Sequence, residues 1–66
     1  MAVFTNGKGG RIETSGNVYK IYDEGGVLQH SADVGKWIDD AAAWILHDIQ
    51  AGYYPGFRVE EERRGE

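Results

Sequence analysis

Three groups of side chains in this 66-residue sequence are of types that do chemistry. His30, Ser31 and Asp33 stand together and are the residue types of a nucleophilic triad. A working triad gathers its members from separate parts of a fold, around oxyanion donors. Neighbours just ahead of an apolar-periodic segment read instead as a strand-to-helix corner, with Ser31 or Asp33 as a helix cap. His47 with Asp48, or with Asp40, shares a helix face and supplies half of a metal site, but two groups do not fix a metal. Lys8 lies in the glycine-rich run Asn6-Gly7-Lys8-Gly9-Gly10. A phosphate cradle needs G-x-x-x-x-G-K-[ST] between a strand and a helix, whereas Lys8 precedes Gly9 and a strand-like segment. Asn-Gly marks a hairpin turn here. There is no cysteine, so neither a thiolate metal site nor a disulfide can form. No catalytic residue, metal or cofactor is expected, and the chain reads as a non-enzyme.

What remains is aromatic. The stretch KWIDDAAAWILHDI, residues 36–49, sets Trp37 and Trp44 seven residues apart. At about 100° per residue they fall on one helical stripe. Ile38, Ala41, Ala42, Ile45, Leu46 and Ile49 gather on the broad core face, with Tyr53 near it. Asp39, Asp40, Ala43, His47 and Gln50 lie opposite. The tryptophans form the border between the two, rimmed by Lys36, Asp40 and Asp48. Such a border either folds over a sheet edge to enlarge a small core or is an interaction patch, where tryptophan is enriched. Tyr53, Tyr54 and Phe57 extend that patch or close the end of the core. The expected binding surface is therefore Trp37, Trp44, Asp39, Asp40, Asp48, Tyr53 and Tyr54.

The elements that position this surface follow from local pattern. Residues 18–22, Val-Tyr-Lys-Ile-Tyr, make the clearest strand, rich in β-branched and aromatic types. Residues 11–14 alternate and read as a strand before it, and residues 27–31 return after the turn at Asp23-Glu24-Gly25-Gly26. Short loops make neighbouring strands antiparallel. Residues 2–5 are a first strand or an arm, and residues 57–60 could add a last strand. Asp33 as cap starts a helix at Val34 that runs to Ala51, with Gly52 in the left-handed position and Pro55 as a stop. Residues 61–66 read as a frayed tail. Tyr19, Ile21 and Leu28 point to the helix, leaving Val18, Lys20, Tyr22, Val27 and Gln29 on the far face. The expected fold is one α+β domain: a small antiparallel meander of three to four strands with one long C-terminal helix packed on one face.

Charge narrows the partner. The formal net charge is −4. Residues 21–50 carry six carboxylates against Lys36 alone, whereas residues 1–20 carry Lys8, Arg11 and Lys20 against Glu13. An acidic centre opposes direct nucleic-acid binding and suits a partner with a basic surface. No run of about 18 apolar residues spans a membrane, no signal peptide is evident, and the absent cysteine fits a reducing cytoplasm. In size and acidity the chain resembles the anti-CRISPR and anti-restriction inhibitors of phages and mobile elements. That resemblance implies an inhibitor that binds another protein, such as a nucleic-acid-binding complex. Two alternatives stand beside it. One is a self-associating, antitoxin-like homodimer with the tryptophan stripe as its two-fold contact. The other is a nucleic-acid-binding module using Lys8, Arg11 and Lys20 with Tyr19 and Tyr22.

Overall fold

The computed structural model describes residues 1–62 of the chain. Five strands, β1 (Ala2–Thr5), β2 (Arg11–Ser15), β3 (Val18–Tyr22), β4 (Leu28–Asp33) and β5 (Arg58–Glu62), form one antiparallel sheet. Its order is β4-β3-β2-β1-β5. A single helix, α1 (Ala41–Gln50), lies over β2 and β3. The architecture is α+β, with more strand and less helix than the sequence implies: five strands, and a helix of 10 residues.

Alternation sorts the sheet into two faces. Phe4, Ile12 and Ile21 sit side by side across β1, β2 and β3, and Ala2, Thr14, Tyr19 and Ala32 form the next row. These rows face α1, whose Ala41 and Ile45 are buried against them with Val34. Burial of side chains such as Phe4, Ile12 and Ile45 contributes about 1.5–3 kcal/mol each. Thr14 is the polar member of this layer, and it is satisfied locally. Its hydroxyl accepts from the Ala2 N–H at 3.1 Å and donates to the Ala2 carbonyl at 3.3 Å.

Leu28 departs from its expected place. Tyr22 pairs with Leu28 but Ile21 pairs with His30, so a bulge leaves Gln29 without a partner across the ladder. The extra residue reverses the alternation. Leu28 is thereby turned to the far face beside Tyr22 and is 48% exposed. Gln29 donates through Nε2 to Asp23 Oδ2 at 2.7 Å.

The helix start is the larger correction. The segment after β4 makes one isolated turn, in which the Trp37 and Ile38 N–H groups both donate to the Val34 carbonyl. Asp33 caps that turn and not the helix: its Oδ1 accepts from the Gly35 N–H at 2.8 Å. A Cβ on Gly35 would lie 2.8 Å from Asn17 Nδ2, so this turn approaches the β2–β3 connection closely and a larger residue there would displace the Asn17 side chain. The chain is pinned there twice more, by Val34 N–H to Asn17 O and Ala41 N–H to Gly16 O. Asp40 is the true N-cap, accepting from the Ala42 N–H at 3.0 Å. At the other end the Gly52 and Tyr53 N–H groups donate to the Ile49 and Asp48 carbonyls, with Gly52 at φ +92°. This is the Schellman arrangement.

The ends of the chain carry the last two strands. Residues 2–5 are a strand, not an arm, and β5 extends through residues 61 and 62, which were expected in the tail. The rest of that expected tail, residues 63–66, lies outside the described residues.

Candidate functional site

Trp37 stands in the isolated turn and Trp44 in α1, so the two do not share one helix. They meet nevertheless, with ring centroids 5.9 Å apart and planes inclined at 34°. That geometry is an ordinary tilted aromatic contact. Trp37 is 67% exposed, while Trp44 is half-buried and packs against the core. Trp37, Ile38, Ala43, Trp44, His47 and Asp48 line an open groove of about 390 Å3. A second hollow on the far face, lined by residues including Met1, Val18 and Lys20, is only about 100 Å3. Ligand pockets occupy roughly 300–1,000 Å3, so of these two hollows the tryptophan groove is the one that reaches that size.

Of the expected binding residues, Trp37, Trp44 and Asp48 come together in this groove. Asp39 is exposed in the segment leading to α1. Asp40 is half-buried and its carboxylate is occupied as the N-cap. Tyr53, expected near the core face and in the binding patch, is 73% exposed beyond the helix and is not among the residues lining the groove. Tyr54 turns inward instead, packing on the core edge-on to Phe57 with centroids 6.1 Å apart. Burial pushes the Tyr54 hydroxyl pKa up, and Tyr19 and Asp48 push it further. His47 and Ala43, expected on the wet face, line the groove. Their place was hidden because Trp37, which forms the groove with them, stands in the isolated turn and not on α1.

The electrostatics are uneven. Asp48 supplies the only carboxylate of the lining, and no lysine or arginine lines it. His47 Nδ1 lies 3.7 Å from Asp48 Oδ1, too far for a hydrogen bond. Outside the lining, Lys36 Nζ sits 6.0 Å from the centroid of the Trp37 ring. The lining contains no hydroxyl or thiol. Among the described residues no cluster of three or more His, Asp or Glu is placed to hold a metal ion.

The other chemistry-bearing groups are dispersed. His30 and Ser31 are adjacent in β4 and so point to opposite faces. His30 tilts against Tyr19 with centroids 5.7 Å apart, while Ser31 pairs with Lys20 on the far face. Ser31 therefore neither joins a triad nor caps a helix. Lys8 lies in a hairpin loop in which Asn6 Oδ1 accepts from the Lys8 and Gly10 N–H groups at 2.8 and 3.0 Å. Tyr19 is buried under α1 and Tyr22 lies on the opposite face, so they make no common stacking platform. Arg11 is engaged by Glu13, with Nε to Oε2 at 2.6 Å; this bond raises the guanidinium pKa further.

Among the described residues, no helix is long and apolar enough to cross a membrane. No family model, curated protein or solved structure matches the chain.

Proposed function

We propose that this is a small non-enzymatic protein that acts by binding another protein through the Trp37–Trp44 groove. The observation that carries the reading is Trp37 itself. A tryptophan left 67% exposed in so small a protein, but held against a second indole, forgoes burial that the core would have used. Exposed aromatic surface of this kind is what binding hot spots are made of. The expected role is inhibition in the cytoplasm, in the manner of the anti-CRISPR and anti-restriction proteins that the chain resembles in size and acidity.

Charge mimicry is the smaller part of this proposal. Of the acidic central stretch, Asp23, Asp33 and Asp40 each accept backbone N–H bonds in a loop, a turn and a cap. They still contribute to the field, but local structure fixes where they sit. Glu24 accepts from Asn6 Nδ2 at 3.5 Å, which leaves Asp39 and Asp48 as the carboxylates proposed to meet a partner. The nucleic-acid reading loses support, because Arg11 and Lys20 flank Glu13 on the far face.

A self-associating protein is the second reading, and the β4 edge favours it. This six-residue edge, Leu28–Asp33, has one charge and neither lysine nor proline to block pairing with another strand.

Capture of host proteins on wild type and on a Trp37→Ala/Trp44→Ala double variant, together with solution mass, tests both. Docking through the groove requires a protein retained by wild type and lost from the double variant. Equal retention by both sinks it. A concentration-dependent dimer that survives the double variant supports the β4 edge.

A further inference from the structure

The groove has two indole walls and one carboxylate, and this combination restricts its occupant. Suppose that a leucine or phenylalanine filled it. Asp48, whose side chain is already only 24% exposed, would lose its remaining water with no lysine or arginine in the lining and His47 Nδ1 3.7 Å away, beyond hydrogen-bond reach. A carboxylate stripped of water and left unpaired is strongly destabilising, so an apolar plug works against the groove's own lining. An anionic group fares worse against the same carboxylate. The occupant that fits brings positive charge and an apolar stem.

Resting on the docking reading above, we propose that the Trp37–Trp44 groove accepts an arginine side chain presented by a partner protein. The guanidinium would lie against the indole faces and donate to Asp48. Several observations converge on this. The indole faces attract cations, and the chain's own Lys36 already places its ammonium at the outer limit of such contact with Trp37. No lysine or arginine is among the lining residues, and Lys36 reaches Trp37 only from outside them. The segment that bears the groove, residues 36–50, carries Asp39, Asp40 and Asp48 against Lys36, which favours approach of a cationic surface. Arginine is preferred to lysine because its planar, weakly hydrated head stacks on an aromatic ring while its N–H groups remain free for a carboxylate. The groove, at about 390 Å3, has room for the whole side chain.

The test uses the intact protein and three short peptides, acetyl-Gly-X-Gly-amide with X arginine, lysine or citrulline. Citrulline keeps the shape of arginine and removes its charge. Binding is followed by the indole N–H resonances of Trp37 and Trp44 and by their fluorescence. The arginine peptide is expected to move both resonances and to bind about tenfold or more tightly than the citrulline peptide. Asp48→Asn should remove most of that preference, and Trp37→Ala should weaken binding of the arginine peptide. Retained dispersion of the amide spectrum confirms that each variant is folded. Equal binding of arginine and citrulline overturns the arginine proposal but leaves a protein-docking groove standing. No indole shift with any of the peptides overturns the arginine proposal, while the capture experiment decides independently whether the groove docks a protein. A wild-type dimer abolished by Asp48→Asn would place a second copy's arginine in the groove and overturn the assignment to a separate partner.

Discussion

Trp37 and Trp44 are in ring contact at 5.9 Å although one belongs to a turn and the other to a helix. The contact therefore depends on how the 34–40 segment is pinned and not on helical periodicity. Its two members differ in what they hold up. Trp44 packs on the core and Trp37 projects from it.

That difference fixes an order of stabilities. Trp44→Ala should lower stability by about 2 kcal/mol, below the range for a fully buried tryptophan. Trp37→Ala should cost under about 1 kcal/mol, as exposed substitutions do. Urea melts give both values. Either substitution should also remove the coupled indole signal from the ultraviolet circular dichroism. Equal destabilisation by the two would mean that Trp37 is a core residue, and the groove would lose its standing as a surface.

The corrected helix start yields a second expectation. Asp40→Ala should destabilise the protein by about 1 kcal/mol through loss of the cap, while Asp39→Ala should change it by less than about 0.5 kcal/mol. Asp40→Asn should behave like wild type, because asparagine caps as well as aspartate. Thermal or urea unfolding of the three variants checks this. A costly Asp39→Ala with a silent Asp40→Ala would move the helix start.

A third concerns pH. Asp23 has its pKa held below the ordinary carboxylate value, first by the Val27 N–H and then by Gly25 and Gln29. The folded form thus binds a proton less readily than the unfolded chain. Its contribution to stability is fully present above the unfolded value of about 3.9 and is lost as pH falls through the lower folded value. Titration of the carboxyl carbon by NMR should place its midpoint under the ordinary value, and Asp23→Asn should flatten the acid limb of the stability profile. A midpoint at or above the ordinary value would show that the loop donors do not hold the charge.

How far the pattern of residues revealed the fold varies with what fixed each element. β3 matches its expected span of 18–22 because its residues are good strand formers on both faces. Gly52 marks the helix end because only a left-handed residue closes it. The helix start was misplaced because Asp33, a good cap type, stands just before an apolar stripe that continues past Asp40, the true N-cap. What decided for Asp40 was tertiary: Asn17 closes on Gly35, and Gly16 receives the Ala41 N–H. β5 was only half legible because three consecutive glutamates are poor strand formers. Pairing with β1 overrides that preference. Trp37, Trp44 and Asp48 were legible by residue type, although the single helix on which their spacing grouped them does not include Trp37. His47 and Ala43 were not, since their place on the groove depends on the break at residues 38–40.

The pairing of β5 with β1 also sets a schedule and a hazard. These strands lie at opposite ends of the chain, so this is the contact with the most chain to close before it forms. β1 is the most deeply buried strand, with Ala2, Val3 and Phe4 all covered. Until β5 arrives, β1 is an open apolar edge, the kind that recruits strands from other molecules. The charged sequence of β5, Arg58–Glu62, makes a poor template once in place. β5 thus covers an apolar strand edge, and a chain cut at residue 56 should keep the tryptophan groove's residues but aggregate more readily, as light scattering would show.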